Sequence, residues 1–139
     1  MTDFSTIVGV GGALPQNIVT NHDLSAKMDT SDTWIRERTG IHQRHIVSGN
    51  ETTMTLACQA VRQALETSGV AYDALDGVIV ATMTPAQMMP STACLVQQAL
   101  SLKPGLAFDV NAACSGFIYA LSVADTLIRQ GLAETIAVV

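Results

Sequence analysis

Charged side chains are scarce in this sequence. Only 14% of its 139 residues are Asp, Glu, Lys or Arg, while 48% are hydrophobic. A chain this apolar is not disordered, and with so little charge to solvate, much of it has to be buried, inside a larger body or against a partner. Basic residues are the rarer sign. Seven Lys and Arg against twelve Asp and Glu leave a net charge of −5, which argues against general nucleic-acid binding. Cysteines are few and odd in number: Cys58, Cys94 and Cys114 offer no close pairing. A disulfide framework and a zinc site are therefore poor readings, and a reducing compartment fits. His22, His42 and His45 lie far in sequence from the cysteines, so no metal site is expected. No stretch approaches a membrane span. The N-terminus lacks the basic region and apolar run of a secretion signal, which points to the cytoplasm. Repeats, low-complexity tracts and linkers are absent too, so residues 1–139 read as one unit.

What is present is an alternation of patterns. Residues 5–10 are β-like and run into Gly9, Gly11 and Gly12. This resembles a dinucleotide fingerprint only superficially, because Leu14 holds the third glycine position and Pro15 follows. The glycines are expected to permit a tight exit from the strand. Residues 29–38 form a short helix that Thr30 or Ser31 can cap and Gly40 can end. Residues 54–68 form an amphipathic helix with Ala57, Ala60, Val61, Ala64 and Leu65 on one face, ended by Gly69. Residues 78–81 are a continuous apolar strand, covered on both faces. A helix starts at Pro90 and Ser91 and runs to about Leu100, and residues 107–110 are the next strand. The following helix, 115–130, presents Phe117, Leu121 and Ile128 as its core face, and a strand begins at Thr135. This order predicts an α/β fold with a mostly parallel sheet. The apolar close on Val138 and Val139 looks interrupted.

Two places carry chemistry. Cys114 stands where the strand at 107–110 turns into a helix. There the unpaired N–H groups and the helix dipole favour an anion, and a thiolate is such an anion. The small neighbours Ala112, Ala113, Ser115 and Gly116 leave room for a substrate, and their backbone N–H groups at Cys114 and Gly116 are in place to meet an oxyanion. The residues alone also allow a buried structural cysteine. The second place is Trp34, the only tryptophan, with Arg36, Arg38 and Arg44 around it. An indole stacks on a base and guanidinium groups pair with phosphates. A surface helix with local pairs to Asp32 and Glu37 is the plainer alternative.

The run Asp109-Val110-Asn111-Ala112-Ala113-Cys114-Ser115-Gly116-Phe117 resembles the nucleophile segment of the β-ketoacyl-acyl-carrier-protein synthase III family, the priming condensing enzymes of the thiolase superfamily. Two further segments resemble that family. One is Asp29-Thr30-Ser31-Asp32-Thr33-Trp34-Ile35, continuing to Arg38-Thr39-Gly40-Ile41 and Arg44; the other is Ala81-Thr82 with Pro90-Ser91-Thr92-Ala93. The resemblance runs from about Gly9 to the last residue. It implies a thiolase-like fold of two similar halves stacked as helix, sheet, helix, sheet, helix, of which residues 1–139 would be most of the first half.

The resemblance also implies roles. Cys114 would attack the thioester of an acyl-CoA, and malonyl-acyl carrier protein would then decarboxylate and condense with the acyl-cysteine. Thr30, Trp34 and Arg38 would hold the nucleotide end of coenzyme A. Met89, where the family commonly has phenylalanine, would reach across a homodimer interface and shape the partner's acyl pocket. Acyl-CoA is a substrate, and no cofactor is implied. The family's histidine and asparagine have no match here, so the chain alone is expected to support acylation at most, and none of the three histidines is expected to serve Cys114. Asp109 is read as structural, and Cys58 and Cys94 as packed and inert. The alternatives are a sister condensing enzyme, a synthase III-like enzyme of quinolone or polyketide metabolism, a non-catalytic half-domain, and a cysteine hydrolase.

Overall fold

The computed structural model describes residues 4–139; the reading of the first three residues lies outside that range. The chain separates into two compact units, one made of the segment up to Ala13 together with Thr52–Val139, the other of Leu14–Glu51.

The larger unit is a three-layer α/β arrangement. Its centre is β3 (Gly77–Ala81), flanked by β4 (Leu106–Val110) and β5 (Ile136–Val138), all parallel. The run Val78-Ile79-Val80 is wholly buried, because side chains alternate between faces and both faces are covered. Val78 and Val80 pack with α3 (Thr53–Ser68) and α4 (Thr92–Ala99), whereas Ile79 packs with Ala120 and Ala124 of α5 (Gly116–Arg129). Burying each such side chain contributes about 2 kcal/mol. Helix ends are set by short polar residues and glycine. Thr52 and Thr55 form a reciprocal cap at the start of α3, and Gly69 closes it at φ 71°, a left-handed conformation natural to glycine.

At the end of the sheet remote from Cys114, Asp76 ties three strands together. Its carboxylate pairs with Lys103 at 2.8 Å and accepts N–H bonds from Glu134 and Thr135. The Lys103 ammonium, followed by those two N–H groups, holds the Asp76 carboxyl down at about 2.

Several expectations are corrected here. Residues 5–10 join no sheet ladder. Their polar groups go instead to helical side chains: the Ser5 hydroxyl donates to Asp125 at 2.7 Å, and Val10 exchanges bonds with the Thr67 hydroxyl. Gly9 and Gly11 do not make a turn. A Cβ on either would run into the α3 backbone, at Ala64 O and Ala60 O respectively, so they are glycines of close approach. On α5 the buried face is Gly116, Ala120 and Ala124, and Phe117 is 49% exposed. The small residues let the helix lie close to the sheet, which turns the larger ones away. The strand that carries Asp109 is an edge strand of the described sheet.

The smaller unit contains the helix expected over residues 29–38, here Asp32–Thr39, together with three elements that the sequence patterns did not predict. Strand β1 (Asn17–Thr20) pairs antiparallel with β2 (Gln43–Ile46), and two helices, α1 (Asn21–Ser25) and α2 (Asp32–Thr39), lie between them in sequence. Its polar hub is Asn21, fully buried. The Asn21 amide donates to Asp32 and to Ile41 O, and its oxygen accepts from Arg44. Both of its N–H donors and its oxygen are thus engaged, which is what makes a buried amide tolerable. No helix among the described residues is long and apolar enough to cross a membrane.

Candidate active site

Cys114 is exposed and unpaired with another cysteine. It lies within a tight 3-10 turn, Ala113–Ser115, that stands between β4 and α5. The cysteine therefore precedes the helix rather than sitting in its first turn. The turn is closed by Ser115 N–H donating to Ala112 O at 3.0 Å and by Gly116 N–H donating to Ala113 O. Gly116 spends its N–H on that bond, so of the two oxyanion donors expected from sequence it is the one already engaged. Ala113 has φ 47°, a left-handed conformation that costs a non-glycine residue on the order of 1–2 kcal/mol. Gly116 is buried, and a Cβ there would stand 3.4 Å from Ala81 Cβ. That is an ordinary van der Waals contact, and it places the start of α5 over the end of β3. The result is a thiol held outward on a strained, short turn at the C-terminal ends of parallel strands, the end at which such sheets place their chemistry.

The neighbouring loop after β3 carries Met83, Met88 and Met89, all exposed, with Met89 at 87%. The loop ends at α4, where the Ser91 hydroxyl accepts from Cys94 N–H. The Asp109 carboxylate accepts from the N–H groups of both Thr92 and Ala93 at 2.8 Å. Cys58 is buried, and burial pushes its thiol up. Cys94 is partly buried, its sulfur 3.6 Å from Ala107 O. Neither is presented as Cys114 is. Among the described residues, no group of three His, Cys, Asp or Glu is placed to hold a metal ion.

In the smaller unit, Ser31 rather than Thr30 caps α2, its hydroxyl accepting from Trp34 N–H, and Gly40 closes the helix at φ 71°. Trp34 is 53% exposed, and the Arg38 guanidinium lies 5.0 Å above its ring centroid. Asp29, Thr30, Ser31 and Trp34 line one shallow concavity. The three arginines divide their work. Arg36 pairs with Asp32 one turn away, Arg44 holds Asn21, and Arg38 stacks on Trp34. Asp32 is held below the usual carboxylate range by the Asn21 amide first and Arg36 after it. His45 is half-buried, and its Nδ1 lies 2.6 Å from Pro15 O; a carbonyl only accepts, so that nitrogen carries the proton.

A family profile described as 3-Oxoacyl-[acyl-carrier-protein (ACP)] synthase III matches residues 108–139, the stretch that includes Cys114. A β-ketoacyl-[acyl-carrier-protein] synthase III of Acidiphilium cryptum is 50% identical over 135 residues, 97% of this chain and 42% of that protein. The chain belongs to the β-ketoacyl-[acyl-carrier-protein] synthase III family. The crystal structure of the synthase III of Aquifex aeolicus superposes with a TM-score of 0.91 at 49% identity, over 95% of this chain and 42% of that one. A priming β-ketosynthase of a polyketide pathway superposes with a TM-score of 0.89 at 35% identity, over 94% and 39%. The fold is the thiolase-like α/β fold of these synthases, and the chain spans about two fifths of the length of the curated relatives it matches, their N-terminal part.

Proposed function

We propose that the intact protein of which these residues form the N-terminal half-domain is a β-ketoacyl-acyl-carrier-protein synthase III, an acyltransferase that starts fatty-acid synthesis. The observation that carries the reading is the exposed Cys114 on its strained turn, inside the stretch that matches the family profile. The Cys114 thiolate attacks the thioester carbonyl of a short acyl-CoA. The carbon–sulfur bond to coenzyme A breaks, and coenzyme A leaves as its thiolate. Malonyl-acyl carrier protein then loses carbon dioxide, and the carbanion attacks the acyl-cysteine carbonyl. The carbon–sulfur bond to Cys114 breaks and releases a β-ketoacyl carrier protein. The Cys114 N–H meets the developing oxyanion.

Trp34 and Arg38, already stacked, take the nucleotide end of coenzyme A, with Thr30 beside them: the indole face offers stacking and the guanidinium offers donors to phosphate. Met89 shapes the acyl pocket across a homodimer interface. The reaction uses no metal or cofactor, and the protein works in the cytoplasm. A synthase III-like enzyme of secondary metabolism is the second reading, favoured by the fit to the polyketide priming ketosynthase.

An assay of the intact protein with acetyl-CoA and malonyl-acyl carrier protein tests the first reading. A β-ketoacyl carrier protein formed by the parent and lost in Cys114→Ala is the expected result. Condensation that accepts malonyl-CoA in place of the carrier protein selects the second reading. Hydrolysis of acyl-CoA without any malonyl donor contradicts both.

A further inference from the structure

The carboxylate of Asp109 does more than satisfy a strand end. In a parallel ladder, residues in register point to the same face, and Asp109 is in register with Val80, whose side chain faces α3 and α4. The Asp109 carboxylate therefore points at the N-terminus of α4. There Oδ2 accepts from Thr92 N–H and Oδ1 from Ala93 N–H, both at 2.8 Å, while Ser91 takes the Cys94 N–H. The first three N–H groups of α4 are all held, two of them by a residue from another element. Thr92 and Ala93 are buried, so these charge-assisted bonds are shielded from water and hold their geometry. The helix N-terminus and the carboxylate also attract through the helix dipole.

This clamp adds a side-chain link between two segments that also touch through the packing of α4 on β4. On one side Asp109 is five residues before Cys114, on the strand that leads into its turn. On the other, Thr92 is three residues after Met89, at the end of the exposed methionine loop. A second bond runs nearby, from Thr82 N–H to Val110 O, but it fixes only the start of that loop. The end of the loop is fixed by Asp109 alone among the side chains of β4.

We infer that Asp109 is a positioning residue for acyl-chain selection: its two-pronged hold on the α4 N-terminus fixes where the Met88–Met89 segment is presented. The inference rests on the synthase reading above, in which Met89 walls the acyl pocket of the other subunit of a homodimer. Loosening the clamp lets the wall yield, so longer primers gain on short ones.

The test measures the rate of Cys114 acylation in the intact protein with acetyl-CoA and with octanoyl-CoA, by intact mass, for the parent, Asp109→Asn and Thr92→Pro. An asparagine oxygen accepts from one of the two N–H groups, and its amide repels the other. Proline at the first helical position removes the Thr92 donor where its ring is well tolerated, so it carries the test if Asp109→Asn does not fold. The octanoyl-to-acetyl rate ratio is expected to rise by about tenfold, the scale on which a pocket distinguishes small changes in chain size. A purely structural role lowers both rates together. A ratio within about twofold of the parent in the folded variants overturns the inference and leaves the synthase reading standing. A parent that takes no acyl group at Cys114 overturns both.

Discussion

The guanidinium of Arg38 lies 5.0 Å over the indole of Trp34, four residues before it on the same helix face. Because the pair is exposed, it adds little to stability, about 0.5–1 kcal/mol. It holds an aromatic plane and a cation in fixed relation, which suits a nucleotide that carries phosphates. Trp34→Ala is expected to weaken acyl-CoA binding about tenfold with little change in melting temperature. Calorimetric titration of the intact protein checks it; equal dissociation constants would remove the assigned role.

Ala113 stands at φ 47° next to the nucleophile. Ala113→Gly relieves the strain, on the order of 1–2 kcal/mol, but adds chain entropy to the unfolded state of about 0.5–1 kcal/mol. The melting temperature is expected to hold or rise slightly, while acylation at Cys114 slows by about tenfold, because the turn no longer fixes the thiol. Thermal unfolding and a timed acylation assay on the same samples measure both effects. A large loss of stability would show that the strain is not relieved.

The Asp76–Lys103 pair, with the Glu134 and Thr135 N–H groups, predicts a pH dependence at the opposite end of the sheet. The folded carboxyl sits at about 2, below the value of about 3.9 in an unfolded chain. Its contribution is therefore complete above about pH 4 and is lost as pH falls toward 2. Asp76→Asn is expected to cost about 1–2 kcal/mol at neutral pH and to flatten the acid limb of a stability-against-pH curve. An unchanged acid limb would contradict the assignment.

The parts of the structure visible in the sequence are those governed by local patterns. Val78-Ile79-Val80 reads as a doubly covered strand because nothing in it is polar, and Gly40 and Gly69 end helices as glycines usually do. On α5 the larger apolar residues point to the wrong face, because the small residues that pack there carry a weaker hydrophobic signal. Gly116, Ala120 and Ala124 pack closest to the sheet, while Phe117, the stronger apolar signal, turns outward. Gly9 and Gly11 were legible as special but not as contacts, since the helix they approach lies about fifty residues on. In the smaller unit only α2 is legible, from its cap and from Gly40; the rest escapes for the same kind of reason. Its β-strands are four residues long and mixed in polarity, and the Asn21 hub joins residues 11, 20 and 23 positions away, a relation that no periodicity expresses. The Cys114 turn was found from its flanking elements and its small residues. The 3-10 geometry and the bond that engages Gly116 depend on how β4 and α5 meet.

The most direct test of the account is the intact mass of the whole protein before and after incubation with acetyl-CoA, followed by peptide mapping. The account predicts a gain of one acetyl group, located on the peptide that contains Cys114 and absent from Cys114→Ala. A full-length protein that gains no mass, or that carries the acetyl group on Cys58 or Cys94, would contradict it.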